Sequence, residues 1–193
     1  MFKKSGSTKS SCSEWLVIFP SKFTVPAHGS YDVKYTATVP PSAQGGYYSV
    51  LFFESKINDG SSKKSNVILS GRIGSIIYID TAGRSKKLAS ISKFNVNEAT
   101  KKEPFSFDID IQNQGNTFLT PEGKVIITDK NSKLYGVMDI RKFTILQGES
   151  HSVRLTWNGT LNPGEYEVVS TIDCGGDNIV SAKRKMFVTG LYR

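Results

Sequence analysis

Residues 142–156 read KFTILQGESHSVRLT, and residues 22–36 read KFTVPAHGSYDVKYT, the same pattern 120 positions earlier. Lys22, Phe23 and Thr24 return as Lys142, Phe143 and Thr144. Val33, Lys34, Tyr35 and Thr36 return as Val153, Arg154, Leu155 and Thr156 without a gap. Further on, Gly46-x-Tyr48-x-Val50 has its counterpart in Gly164-x-Tyr166-x-Val168. The repetition points to two copies of one domain type, and the sequence around the second copy tells which type.

Upstream of that copy, PFSFDIDIQNQGN (104–116) alternates Phe105, Phe107, Ile109 and Ile111 with Ser106, Asp108, Asp110 and Gln112. Period two with one apolar face is a half-buried strand, and Asn113-Gln114-Gly115-Asn116 is turn chemistry. GKVIITD (123–129) and KLYGVMDI (133–140) flank Lys130-Asn131-Ser132 as a hairpin. SVRLTW (152–157) alternates again, Asn162-Pro163-Gly164 turns the chain into EYEVVSTIDC (165–174), and GGDN (175–178) leads to IVSAKRKMFV (179–188). Counted from LASISKF (88–94), about seven or eight strands in roughly 105 residues, with no helical period, have the rhythm of an immunoglobulin-like sandwich. Tyr166, in Pro-Gly-x-Tyr, is expected at a tyrosine corner, its hydroxyl on backbone. Tyr48 is placed at the equivalent corner.

If 142–188 forms the last strands of a sandwich, 22–79 does the same for an earlier one. KFTV, YDVKYTATV, GYYSVLFFES and NVILSGRIGSIIYI then become strands D, E, F and G, with WLVIF (15–19) as C. The Ser-, Lys- and Gly-rich residues before it are unsuited to strands A and B. The expected organisation is all-β: two immunoglobulin-like β-sandwich domains in tandem, the first incomplete and lacking its first strands. The bounds are 1–11 disordered, 12–80 the partial sandwich, 81–85 a linker, and 86–190 the complete sandwich.

Apolar residues make up 38% of the chain, with 11 Phe and 8 Tyr, enough for a core. The longest apolar runs, WLVIF and VLFF (50–53), are strand length and far short of the roughly 20 residues of a membrane helix. The N-terminus has lysines but no apolar signal-peptide region behind them. Net charge is +8. It is scattered as pairs such as Lys63–Lys64, Lys86–Lys87 and Lys101–Lys102 and as Lys183-Arg184-Lys185. Nucleic-acid binders gather such charge on a stripe with stacking aromatics, so that class is set aside, whereas attraction to anionic polymer is compatible.

Trp15 before Pro20, Phe23, the turn Pro26-Ala27-His28-Gly29, Val39-Pro40 leading to Gly46-x-Tyr48, and the run from Asn66 to Ile73 resemble the N-terminal domain of PapD-like proteins, the periplasmic pilus chaperone superfamily. A PapD-like domain followed by an Ig-like one is also the order in that superfamily, and similar pairings occur in Gram-positive surface proteins of the WxL-interacting type. The resemblance implies an extracytoplasmic location, periplasmic or cell-surface. It does not extend to the pair that anchors a subunit's carboxylate there. Strand A is missing from the match, and Gly74 stands where the strand-G Lys best fits, with Arg72 in place only after a register slip.

Chemistry-bearing residues are sparse. His28 and His151 sit in or beside the two equivalent turns, one in each repeat, and read as exposed turn residues. Asp108 and Asp110 share one strand face about 7 Å apart, a pair able to hold a cation but also an ordinary solvated face. Asp173-Cys174-Gly175-Gly176-Asp177-Asn178 has the composition but not the spacing of a calcium loop. Asn158-Gly159-Thr160 is a formal glycosylation sequon. Cys12 and Cys174, far apart in sequence, read as two unrelated thiols. No residue is assigned as catalytic, cofactor-binding or metal-binding, and no cofactor is implied. The expectation is a non-enzymatic structural or adhesive module that binds a protein or cell-wall polymer. Residues 12–80 are expected to accept a β-strand donor or to self-associate. The alternatives are a PapD-like assembly chaperone donating a strand, and an accessory module of a glycan-active enzyme.

Overall fold

The computed structural model describes residues 4–57, 69–100 and 103–190. The chain divides into two compact units, Met1–Ala82 and Gly83–Arg193. Both are built of strands; among the described residues the one helical element is a 3-10 turn at Ser13–Trp15. The fold is all-β, with an immunoglobulin-like sandwich in the second unit and open ladders in the first.

In the first unit β1 (Leu16–Phe19) pairs antiparallel with β2 (Lys34–Ala37), Ile18 opposite Tyr35. β3 (Gly46–Ile57) pairs antiparallel with β4 (Leu69–Asp80) along its whole length. Three sequence expectations are corrected here. WLVIF, expected as strand C, forms a strand but pairs with β2, the segment assigned to strand E, which is not the neighbour strand C has in an immunoglobulin sheet. KFTV forms no strand, because Pro20 and Pro26 bracket it and each withholds a ladder donor. Residues 4–11, expected to be disordered, make turns. The Ser7 amide donates to the Lys4 carbonyl and the Ser11 amide to that of Thr8, and Ser11 bridges Tyr48 in parallel register. Asn66, Val67 and Ile68, assigned to strand G, lie outside the described residues.

The second unit runs β5 (Ala89–Asn97), β6 (Phe105–Asn113), β7 (Glu122–Asp129), β8 (Leu134–Ile140), β9 (Ser150–Trp157), β10 (Gly164–Asp173) and β11 (Ile179–Val188). One sheet is ordered β5-β6-β9 and the other β11-β10-β7-β8. Phe105, Phe107, Ile109 and Ile111 of β6 are all buried, which is what their alternation demands. They meet Val125 and Ile127 of β7, Val168 and Ile172 of β10 and Met186 of β11 in a single core cluster. Asn113 is buried at the end of β6. Its Nδ2 donates to the carbonyls of Thr117 and Ile145, and its Oδ1 accepts from the Gly115 amide. That one amide closes the turn and ties it to the strand-crossing segment, where Leu119 bridges Ile145.

The repeat is visible as geometry. In the first copy the Gly29 amide donates to the Pro26 carbonyl, and in the second the Glu149 amide donates to that of Leu146. The third residue of each turn is left-handed, His28 at φ 60° and Gly148 at φ 76°. Phe23 stacks on Tyr31 at 4.7 Å, and Phe143 lies against His151 at 4.5 Å, the same two positions 120 apart.

Candidate functional site

Exposed large apolar side chains occur in both units, Leu134, Ile179 and Phe187 in the second among them, and in the first they include Ile73 and Ile76 of the β3–β4 hairpin. β3 and β4 are rich in β-branched and aromatic residues, the composition of strands that pack against neighbours. The register places Tyr47, Leu51 and Phe53 with Ile79, Ile77 and Ile73 on one face, and Tyr48, Val50 and Phe52 with Tyr78, Ile76 and Gly74 on the other. Apolar residues on both faces are the pattern of strands buried on both sides.

The first face is covered in part. Trp15 packs on Tyr47 with ring centroids 4.2 Å apart, and Phe23 meets Phe53 edge-on at 6.5 Å. Ile73 at its end is nevertheless 74% exposed. On the second face Ile76 is 58% exposed and Tyr78 is also open to solvent. At the hairpin's far end Arg72 pairs with Glu54 and lays its guanidinium 5.0 Å from the centre of the Phe52 ring. Gly74 fits this crowding: a Cβ there would meet Phe52 and Val50 side-chain carbons at 3.1 Å.

The outer edge of β3 already takes a partner. The Tyr48 amide donates to the Ser10 carbonyl at 2.9 Å, and the Cys12 amide donates to the Tyr48 carbonyl at 3.3 Å. Backbone groups of an edge strand alternate in direction, so Val50 and Glu54 point theirs to that same edge.

The residues singled out from sequence are dispersed. His28 is exposed in its turn, and His151 is the second residue of β9, with its ring on Phe143. Asp108 accepts from Asn97 Nδ2 at 2.8 Å and lies 3.7 Å from Arg154 Nε. Asp110 accepts from Ser152 Oγ at 2.6 Å. The two carboxylates are thus each engaged with neighbouring strands, as on a solvated sheet face. In the 173–178 loop the Gly175 amide donates to Asp173 Oδ1 and the Cys174 amide to the Asn178 carbonyl. Gly175 and Gly176 are both left-handed, which makes this a glycine hairpin. Among the described residues no group of three His, Cys, Asp or Glu is placed to hold a metal. Cys12 and Cys174 are buried thiols, one in each unit. Desolvation pushes both up, Cys174 to about 11 with help from the Asp173 charge, so neither is a thiolate at neutral pH.

Tyr166 donates its hydroxyl to the Asn162 carbonyl at 3.0 Å, the tyrosine corner expected from Pro-Gly-x-Tyr. In the first unit the matching position differs. There it is Tyr47, not Tyr48, whose hydroxyl accepts from the Gln44 amide, and Tyr48 spends its backbone on residues 10–12. No helix among the described residues is long and apolar enough to cross a membrane.

No family model matches the chain, and no curated protein matches it. Among solved structures, β-glucosidase 3B from Thermotoga neapolitana in complex with glucose is similar over 55% of this chain and 16% of its own, at 21% identity and a TM-score of 0.35. A β-glucosidase from Kluyveromyces marxianus is similar over 56% of this chain and 15% of its own, at 20% identity and a TM-score of 0.33. The match thus spans a small part of either enzyme. Scores this low carry no property of those enzymes to this chain.

Proposed function

We propose that this chain is a non-enzymatic, extracytoplasmic binding module in which the second unit is a closed scaffold and the first offers an open surface to a macromolecular partner. The observation that carries the reading is the β3–β4 hairpin, apolar on both faces with Ile73 and Ile76 largely in solvent. Contiguous apolar faces of this kind rarely stay bare on a soluble protein. The basic balance of the chain suits an anionic polymer as well as a protein. The extracytoplasmic placement rests on the PapD-like resemblance of residues 15–80. Within that resemblance the edge of β3, which takes Ser10–Cys12 in parallel, favours strand pairing as the mode of contact.

The test is a pair of lysines. Ile73→Lys with Ile76→Lys removes apolar area from both faces and leaves the backbone ladder in place. The wild-type chain should associate in light scattering or co-sediment with cell-wall polymer, and the double variant should keep its far-UV circular dichroism and lose that association. A wild-type chain that associates with nothing, itself included, ends the reading.

A further inference from the structure

We propose that Asn158 is a self-modifying site: its side-chain amide is lost through a cyclic imide closed by the Gly159 nitrogen, and the product unseats Trp157 from one side of the second unit. The inference is independent of the binding reading, since it concerns a loop of the second unit and needs no partner. It arises at Asn158-Gly159-Thr160, which the sequence marked only as a formal sequon.

The conditions for the reaction meet at that stretch. Asn158 is exposed in the loop that follows β9. Among the described residues neither its side chain nor the Gly159 amide has a hydrogen-bond partner, so electrophile and nucleophile are both unengaged. Glycine puts no side chain in the way of the attack, and Asn158 is the one asparagine of the chain that glycine follows. Other asparagines are held or blocked. Asn113 and Asn116 donate their side-chain amides to backbone carbonyls, and Asn162 precedes a proline, which has no N–H to give.

The step balances without an oxidant or a metal. The Gly159 nitrogen gives up its proton and attacks Asn158 Cγ. The N–Cγ bond forms as the Cγ–Nδ2 bond breaks, and Nδ2 departs with that proton as ammonia. Water then opens the five-membered imide. Hydrolysis at Cγ leaves aspartate on an unchanged backbone. Hydrolysis at the carbonyl carbon of residue 158 leaves isoaspartate, whose main chain runs through Cβ and Cγ and is one methylene longer. Both products add a negative charge.

Gly159 stands at this position for packing. A Cβ on it would overlap the six-membered ring of Trp157. Across the indole, a Cβ on Gly136 of β8 would lie 2.8 Å from Trp157 Nε1, and Phe105 of β6 holds the ring at 5.7 Å. β8 and β9 are end strands of the two sheets and neighbours of one another, so Trp157 closes that side of the sandwich. A filled slot tolerates an added methylene poorly. A carboxylate at its rim is also repelled by the negative face of the ring.

The test uses the full chain carrying Trp15→Phe, which leaves Trp157 as its sole tryptophan. The protein is aged at neutral pH, and peptide mass spectrometry that separates aspartate from isoaspartate follows each asparagine. Asn158 should convert faster than every other described asparagine, chiefly to isoaspartate. The rate should rise with pH, because the attacking nitrogen must lose its proton. Asn158→Gln, which would have to close a six-membered ring, should lose its amide at least about tenfold more slowly. Trp157 emission should move to longer wavelength in step with isoaspartate, and should not move in aged Asn158→Gln. Treatment with an isoaspartyl methyltransferase, which returns isoaspartate to aspartate, should move it back. An Asn158 that converts in the urea-unfolded chain but stays intact in the folded one overturns the site. Conversion to isoaspartate with Trp157 emission unchanged overturns the unseating. Neither result bears on the hairpin, whose reading stands or falls with Ile73→Lys and Ile76→Lys.

Discussion

Tyr166 shows how one side chain organises an end of the second unit. Its ring is buried, its hydroxyl reaches the Asn162 carbonyl, and the Tyr135 ring stands edge-on to it at 5.2 Å. Tyr135 in turn donates to Asp129 Oδ2, while Asp129 Oδ1 takes the amides of Asn131 and Lys133. Tyr166→Phe should cost about 1 kcal/mol, the net worth of one hydrogen bond. Tyr166→Ala should cost about 3 kcal/mol or more, as large core aromatics do. Urea denaturation of the two variants checks the difference. The Lys133 amide, followed by the Asn131 amide and the Tyr135 hydroxyl, outweighs desolvation and holds the Asp129 carboxyl below its ordinary value of 3.8. A folded pKa below the unfolded one gives stability that is present above the unfolded value and lost as pH falls through the folded one. Melting temperature should therefore decline from about pH 5 to pH 2 in the wild type, and Asp129→Asn should flatten part of that decline. The tyrosine corner was legible because Pro-Gly-x-Tyr is local. Asp129 was not, since Asp-Lys-Asn-Ser reads as any polar turn until Tyr135 folds back onto it from across the hairpin. Asn113 was hidden in the same way, because its partner at residue 145 is 32 positions away.

At the scale of elements, alternation was the reliable signal and composition the misleading one. Phe105 to Ile111 declared a strand with one buried face, and every apolar member of it is buried. KFTV looked equally strand-like, but a strand needs a ladder, and prolines on both sides of it leave too few donors. The N-terminal Ser/Lys/Gly stretch looked structureless by composition, yet backbone pairing with Tyr48 asks nothing of side chains, so Ser10–Cys12 can supply it. The repeated turn makes a prediction of its own. Its third residue is left-handed in both copies, which glycine adopts freely and histidine tolerates better than most. Gly148→Ala should destabilise the second unit by about 1 kcal/mol, because Ala is strained there. His28→Gly should leave stability equal or slightly higher. A Gly148→Ala variant with an unchanged denaturation midpoint would remove conformation as the reason the two turns match.

The two units differ in how they are held together, and that difference is a whole-molecule property. All members of the buried apolar cluster lie between Ala89 and Val188. In the first unit, among the described residues, the buried apolar side chains are Cys12 and Ala43, while Val17, Phe19, Ile73 and Ile76 are mostly in solvent. A domain of about 110 residues closes roughly two-thirds of its unfolded surface and can be stable alone. Two separate two-stranded ladders are marginal in water without a further layer. Residues 83–193, expressed alone, should therefore give a β-type circular dichroism spectrum and one cooperative melt. Hydrogen exchange on the intact chain should find the amides of β6, β7 and β10 protected to near the global unfolding free energy. The amides of β1 to β4 should exchange far faster, through local opening. Raising the concentration of the intact chain should slow exchange in β3 and β4 selectively, because any partner that covers the hairpin, a second copy included, adds the missing layer and shifts its opening equilibrium by mass action. Protection in β1 to β4 that equals the second unit's at low micromolar concentration would mean that the first unit is stable without a partner, and the open face would lose its claim to be a binding surface.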